Sequence, residues 1–256
     1  MTQKYVENPK TKGSGIYCAI PQTERCNLGC KDCFFNNGRS YLNKNEKGEF
    51  VEIETNLPNM PPAGDTHIIR VNDGNDSFTL SDEQIDEIEH RYRHFFFNTS
   101  IPKWASFRGM SFVLTINPGE MTDKEFHKID KPPKNLMFVR FRANMWNCSL
   151  AAEAVNYYAT REVPIVLTFM AYHEDMDIPE DQESDYKSFY VYRKRTINSY
   201  WAITTKGFDY IMDLFKHNKW VHSCGKIEGE DGDTHCRFCG NCLREYFACK
   251  CRIEGG

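Results

Sequence analysis

The chain has 256 residues, of which 40% are hydrophobic and 27% charged, the balance of a globular protein and not of a disordered one. A formal net charge of −4 supplies none of the bulk positive field that draws a protein to nucleic acid or to an anionic membrane. The first residues, MTQKYVENPKTKGSG, hold no apolar core of an export signal, and the longest apolar run, VPIVLTFMAY at 163–172, is far short of a membrane span; a cytoplasmic location with no membrane partner is the expectation.

In chain order, short β-rich runs alternate with helical patterns. GIYCAIP (15–21) reads as a buried strand between glycine and proline, and THIIRVND (66–73) as a second. Ser81 opens SDEQIDEIEHRYRHFF with Gln84 three residues on, a capping-box signature ahead of Ile85, Ile88 and Tyr92. SFVLTINP (111–118) and LMFVRFRA (136–143) follow as strands. A helix over SLAAEAVNYYAT (149–160) then leads to VPIVLTFM (163–170). TTKGFDYIMDLFKH (204–217) places Phe208, Ile211, Met212 and Phe215 on one face and precedes a weaker strand, KWVHS (219–223). Alternation of this kind predicts parallel strands with helices outside. Six units are too few for a closed eight-stranded barrel, so the expected fold is α/β, an open, partial (β/α)6 barrel over residues 1–222. Residues 36–65 and 174–200 break the alternation and read as inserted loops, where substrate contacts concentrate.

Eleven cysteines are many for a reducing compartment, and nine of them fall in two groups, 26–33 and 224–251. Clustering at spacings of two and three residues points to metal ligation. Cys18 and Cys148 stand apart and read as small buried hydrophobes.

The first group, Cys26, Cys30 and Cys33 in CNLGCKDC, follows the first strand directly. Parallel α/β folds place their active sites at that end of the strands. Three thiolates can each hold one iron of a cubane and leave the fourth for a small molecule. A zinc knuckle completed by a distant side chain is the structural alternative.

This triplet after a strand resembles the radical S-adenosylmethionine superfamily. The resemblance implies a partial (β/α)6 barrel and a 4Fe–4S cluster whose open iron chelates the amino and carboxylate groups of S-adenosylmethionine. It also implies an external electron donor and reductive cleavage to a 5′-deoxyadenosyl radical that takes hydrogen from substrate. Many members carry an aromatic residue just before the third cysteine; here Asp32 stands there, leaving Phe34, or its neighbour Phe35, for the adenine. After the second strand the family has a glycine-rich segment that meets the cofactor. The matching stretch here is VNDGND, with Asn72, Asp73, Gly74 and Asn75 as candidates, and an ordinary turn is the bland alternative.

Polar residues ending later strands are Thr115 and Asn117, Arg142 and Asn144, Thr168 and His173. Arg142 and Asn144 are preferred, since FRAN ends a strongly apolar strand and an arginine can pair with a carboxylate in a bidentate fork.

Residues 223–256 read as a cysteine-rich metal-binding extension. Cys224, Cys236, Cys239 and Cys242 supply four thiolates, a closed shell, around Gly225 and Gly240. The CxxCxxC spacing suits zinc or an auxiliary 4Fe–4S cluster, and the family resemblance tilts it toward the cluster. Cys249 and Cys251 are alternate ligands or plain thiols.

The expected function is thus a radical S-adenosylmethionine enzyme acting on a peptide, protein, nucleoside or RNA. The alternative is a zinc-stabilised, non-catalytic module binding protein or nucleic acid. In that case KSFYVYRKRT (187–196) would stack on bases and meet phosphates; otherwise it is a two-stranded flap.

Overall fold

The computed structural model describes residues 5–8, 11–22, 26–28, 42–44, 50–52, 58–72, 75–101, 107–116, 129, 131–173, 178–193, 200–228 and 233–255. Its centre is a seven-stranded sheet curled into an open half-barrel. The strands are β1 (Ile16–Ala19), β2 (Ile68–Val71), β3 (Phe95–Thr99), β4 (Phe112–Ile116), β5 (Leu136–Arg142), β6 (Ile165–Thr168) and β7 (Val221–Ser223). Every neighbouring pair is parallel, and the order across the sheet is the order along the chain.

The strand the sequence pattern missed is β3. The expected helix ran through RHFF, but α1 (Asp82–Arg91) stops at Arg91. Its start is as predicted: Ser81 Oγ accepts the Gln84 N–H at 3.3 Å, and Gln84 Oε1 accepts the Ser81 N–H at 3.0 Å. Tyr92 then turns to extended backbone and donates its hydroxyl to the Pro61 carbonyl at 2.6 Å. The next residues send Phe96 to one face of the sheet and Phe97 to the other, both fully buried. A strand covered on both faces reads as an unbroken apolar run and loses the alternation that would mark it.

The convex face packs under α1, α2 (Cys148–Ala159) and α4 (Thr205–Asp213). Ile69, Val71, Phe97, Leu114, Val139, Phe141, Ile165 and Leu167 point to that side and make the larger core. The concave face has its own cover, α5 (Asn241–Glu254). Tyr246 and Cys249 of this helix pack against Ile16, Ile68, Phe96, Val113, Phe138 and Val166, with Leu243 beside them. The Cys249 thiol donates to the Lys134 carbonyl at 3.6 Å, and Arg252 donates to Leu136 O at 2.7 Å, so α5 is tied across the N-terminal end of β5. Cys251 is exposed. The cysteine-rich tail therefore fills the hollow of the half-barrel.

The two inserted stretches acquire structure of their own. Leu42–Lys44 and Phe50–Glu52 pair as an antiparallel hairpin. After α3 (Glu183–Phe189), Tyr190–Arg193 and Tyr200–Ile203 pair with Met170–His173 in a three-stranded sheet, one strand more than the expected flap. The aromatic side chains of this region serve packing. Tyr186 stacks on Trp146 and Tyr190 at centroid separations of 5.1 and 4.9 Å, and Tyr192 lies 5.3 Å from Trp201. Tyr186 and Tyr190 are buried, which leaves them no face to offer a nucleotide base. Among the described residues no helix is long and apolar enough to cross a membrane.

Candidate functional site

The C-terminal ends of the strands form a mouth in which the first three loops lock together. β1 runs on to Ile20, which bridges Asn59, and to Gln22, whose amide donates to Thr79 Oγ1 at 3.2 Å and to the Asp76 carbonyl at 3.5 Å. Cys26, partly exposed, follows four residues later. Cys30, Cys33 and Phe34 lie outside the described residues, as do Asp73 and Gly74.

Asp76 fastens the loop after β2 to the end of β3. Its carboxylate accepts the Phe78 N–H at 2.8 Å, the Thr99 hydroxyl at 2.7 Å, and both the N–H and the hydroxyl of Ser100. Asn75 is buried beside it. Asn72 ends β2 in the left-handed region, at φ 61°, with its N–H on the Ala19 carbonyl at 2.7 Å. Asparagine tolerates that backbone better than other non-glycine residues. Its side chain is 2% exposed, yet among the described residues neither the amide oxygen nor the amide nitrogen has a hydrogen-bond partner. A buried amide left in that state costs roughly 1–3 kcal/mol, and it fits a site whose polar occupant completes those bonds.

Of the two preferred residues at the end of β5, Arg142 is its last residue and pairs in register with Thr168 at the top of the concave face. Asn144 is buried, and its amide oxygen accepts the Tyr190 hydroxyl at 3.2 Å, so it ties the mouth to the three-stranded sheet. Tyr190 accepts in turn from the Met145 N–H at 3.3 Å. Cys148 is half-buried at the start of α2 and donates to the Asn144 carbonyl at 3.3 Å; Cys18 is buried as expected.

Below the mouth, the concave face turns polar. Cys18 and Arg70 are register partners, as are Thr115 and Arg140, and their side chains share the face of Val166 and Ile16. Arg70 is 7% exposed and donates to Cys18 Sγ at 3.3 Å. Arg140 donates to Asn98 Oδ1 at 3.4 Å and to Thr115 Oγ1 at 3.5 Å, and its Nε and Nη2 are buried without a partner among the described residues. None of the seven strands contains an Asp or Glu.

Neither Arg70 nor Arg140 was singled out from sequence. The available signal was an arginine at a period-two position inside IIRV and FVRFR, runs otherwise buried on both faces.

The four C-terminal cysteines meet these arginines. Cys224 follows β7, with its N–H on Leu167 O at 2.7 Å; Cys236 and Cys239 lie in and after a single 3-10 turn, and Cys242 sits in the first turn of α5. All four line one cavity, together with Arg70, Phe138, Val166 and Ile16. Gly225 (φ 90°) and Gly240 (φ 66°) make the turns on either side; a side chain at Gly225 would strike Thr234 and His235 at 3.0 Å. A hydrogen bond with Cys236, then burial, holds the Cys224 thiol well above the ordinary thiol range, and Arg140 pulls it back. Burial pushes Cys242 up to about 11, opposed by Arg70 and Arg140. Among the described residues no group of three or more His, Cys, Asp or Glu side chains is gathered tightly enough to hold a metal ion.

Compared with protein-family models, with curated proteins and with solved structures, the chain matches none.

Proposed function

We propose that this chain is a radical S-adenosylmethionine enzyme. The observation that carries the proposal is the placement of Asn72: a buried amide with hydrogen bonds unmet among the described residues, at the C-terminal end of the strand beside the one that leads into Cys26-x3-Cys30-x2-Cys33. An open parallel half-barrel supports it, since ligands in such folds sit at the C-terminal ends of the strands.

Cys26, Cys30 and Cys33 would hold a 4Fe–4S cluster, and Asn72, with Asp73 and Gly74, would meet S-adenosylmethionine. When bound, that pair supplies one-electron cleavage of a sulfonium and, from it, abstraction of hydrogen from a substrate. The chain's own residues build the setting for this. Gln22 and Asp76 fix the first two loops against each other, and the Asn144–Tyr190 pair holds the far side of the mouth.

Protein reconstituted anaerobically with iron and sulfide, then reduced with dithionite, should convert S-adenosylmethionine to 5′-deoxyadenosine, and Cys30→Ala should abolish the conversion. A colourless, zinc-loaded protein that yields no 5′-deoxyadenosine would establish the non-catalytic binding module instead.

A further inference from the structure

Arg140 stands on the concave face of β5 between Phe138 and Arg142, and the sheet holds it by one corner. Its Nη1 donates to Asn98 Oδ1 at 3.4 Å and to Thr115 Oγ1 at 3.5 Å. Asn98 is itself fixed. Its amide nitrogen donates to the carbonyls of Val71 and Asn72 at 3.2 and 3.3 Å, and its backbone N–H donates to Ser77 Oγ at 3.2 Å. The asparagine oxygen is thereby aimed at Arg140, and the guanidinium is pinned through Nη1.

The other edge of the same plane carries Nε and Nη2, both buried with no hydrogen-bond partner among the described residues. Its neighbours are apolar: the Phe138 ring, with its centroid 5.9 Å from the guanidinium carbon, and Val166, the register partner on β6. The Cys224 and Cys242 thiols feel the charge of Arg140 without being hydrogen-bonded to it. No strand of the sheet contains an Asp or Glu to fill the edge. Buried donors left in that state are costly. The two N–H groups point the same way, at the spacing of the two oxygens of one carboxylate.

Depth and position narrow the class of ligand. A nucleic-acid strand is met by a run of cations along an open groove, whereas a single fork on an inner wall suits one acid group of a compact molecule. In the sheet, β5 lies three strand spacings from β2, about 14 Å along the surface. An anion on Arg140 thus sits across the hollow from Asn72.

We propose that Arg140 binds a carboxylate in a bidentate fork through Nε and Nη2, and that this carboxylate belongs to the substrate. The fork stands on the fold alone; its assignment to the substrate rests on the radical chemistry proposed above. The substrate class is then a small molecule or a peptide end with a free acid group, and not an RNA. The edge is closed to water, so an entering acid displaces its apolar cover.

The test follows the arginine Nε–H resonances of the full chain, labelled with nitrogen-15 arginine, while acetate replaces chloride at constant ionic strength. The Arg140 resonance should move and saturate, with half-saturation at roughly 1–10 mM, the range open to so small a ligand. Acetamide should leave it in place. No movement with acetate, or equal movement with acetamide, would overturn the fork, and tighter binding of inorganic phosphate than of acetate would overturn the carboxylate class. Arg140→Lys identifies the resonance by its loss; should that variant fail to fold, through-bond correlation to the Arg140 backbone amide identifies it instead. In the reconstituted protein, saturating acetate should leave the affinity for labelled S-adenosylmethionine unchanged in equilibrium dialysis. Competition would place the cofactor's own carboxylate on Arg140 and reject the substrate assignment. A protein that neither binds S-adenosylmethionine nor yields 5′-deoxyadenosine defeats the radical chemistry and with it the substrate assignment, while the acetate titration still decides the fork.

Discussion

Asp76 and Ser100 are joined twice: one carboxylate oxygen of Asp76 accepts both the backbone N–H of Ser100, at 2.5 Å, and its hydroxyl, at 2.6 Å. With Thr99 on the other oxygen, the loop after β2 is bound to the end of β3 by charge-assisted hydrogen bonds. These are stronger than neutral ones. Asp76→Ala strands those donors in a buried place and should cost roughly 2–4 kcal/mol, seen as a lower midpoint in urea denaturation. Asp76→Asn keeps some of the acceptors and should lose less. Equal losses in the two variants would show that the carboxylate's charge is irrelevant.

At Asn72 stability and binding should separate. Asn72→Gly relieves the left-handed backbone and removes two unmet polar atoms, so the folded state should be unchanged or slightly more stable. Binding of S-adenosylmethionine to the reconstituted protein should weaken about tenfold, the value of one hydrogen bond of roughly 1.4 kcal/mol. Equilibrium dialysis with the labelled cofactor reads the difference, and undiminished affinity would remove Asn72 from the cofactor site.

The seat of α5 in the concave face depends on shape more than on polarity. Tyr246 is 2% exposed and packs against Phe96, with its hydroxyl only 3.5 Å from His94 Nδ1, at the limit of a hydrogen bond. Tyr246→Ala should therefore cost roughly 3–5 kcal/mol through the cavity it leaves, while Tyr246→Phe should cost less than about 1 kcal/mol. Thermal denaturation of the two variants checks the ranking.

Alkaline pH should destabilise the chain through its buried phenols. Burial is the main cause that raises the pKa of Tyr92, Tyr158 and Tyr190. The folded protein thus holds these protons after the unfolded chain has begun to release them, near pH 10. Their contribution is complete below that pH and declines as the pH rises beyond it. Urea midpoints measured from pH 8 to about 11 should fall, and the fall should be shallower in Tyr190→Phe.

Local signals served the helices well. Ser81 and Gln84 announce α1, and both halves of the capping box form. The end of α1 was hidden because Phe95, Phe96 and Phe97 extend an apolar pattern that a helix or a doubly buried strand can both use. Asn72 was singled out only through the family resemblance, as part of the segment after the second strand, and it does directly follow β2.

The interior was less so, for a geometric reason. Arg70 meets Cys18 across 52 residues, and Thr11 approaches the same sulfur at 3.5 Å, contacts that depend on which strands pair and in what register. Asn144 shows the converse. Its place at the end of FRAN marked it as a polar candidate at the mouth, but its burial and its bond to Tyr190, 46 residues later, depend on a sheet that lies within what looked like a loop.

Because α5 follows every strand in the chain yet lines the hollow they enclose, synthesis runs in an order opposite to assembly. A ribosome making this protein has already synthesised β1 through β7 before the segment that shields Phe96, Val113 and Phe138 exists. During that interval the growing polypeptide presents an uncovered greasy trough, the kind of surface on which chaperones act.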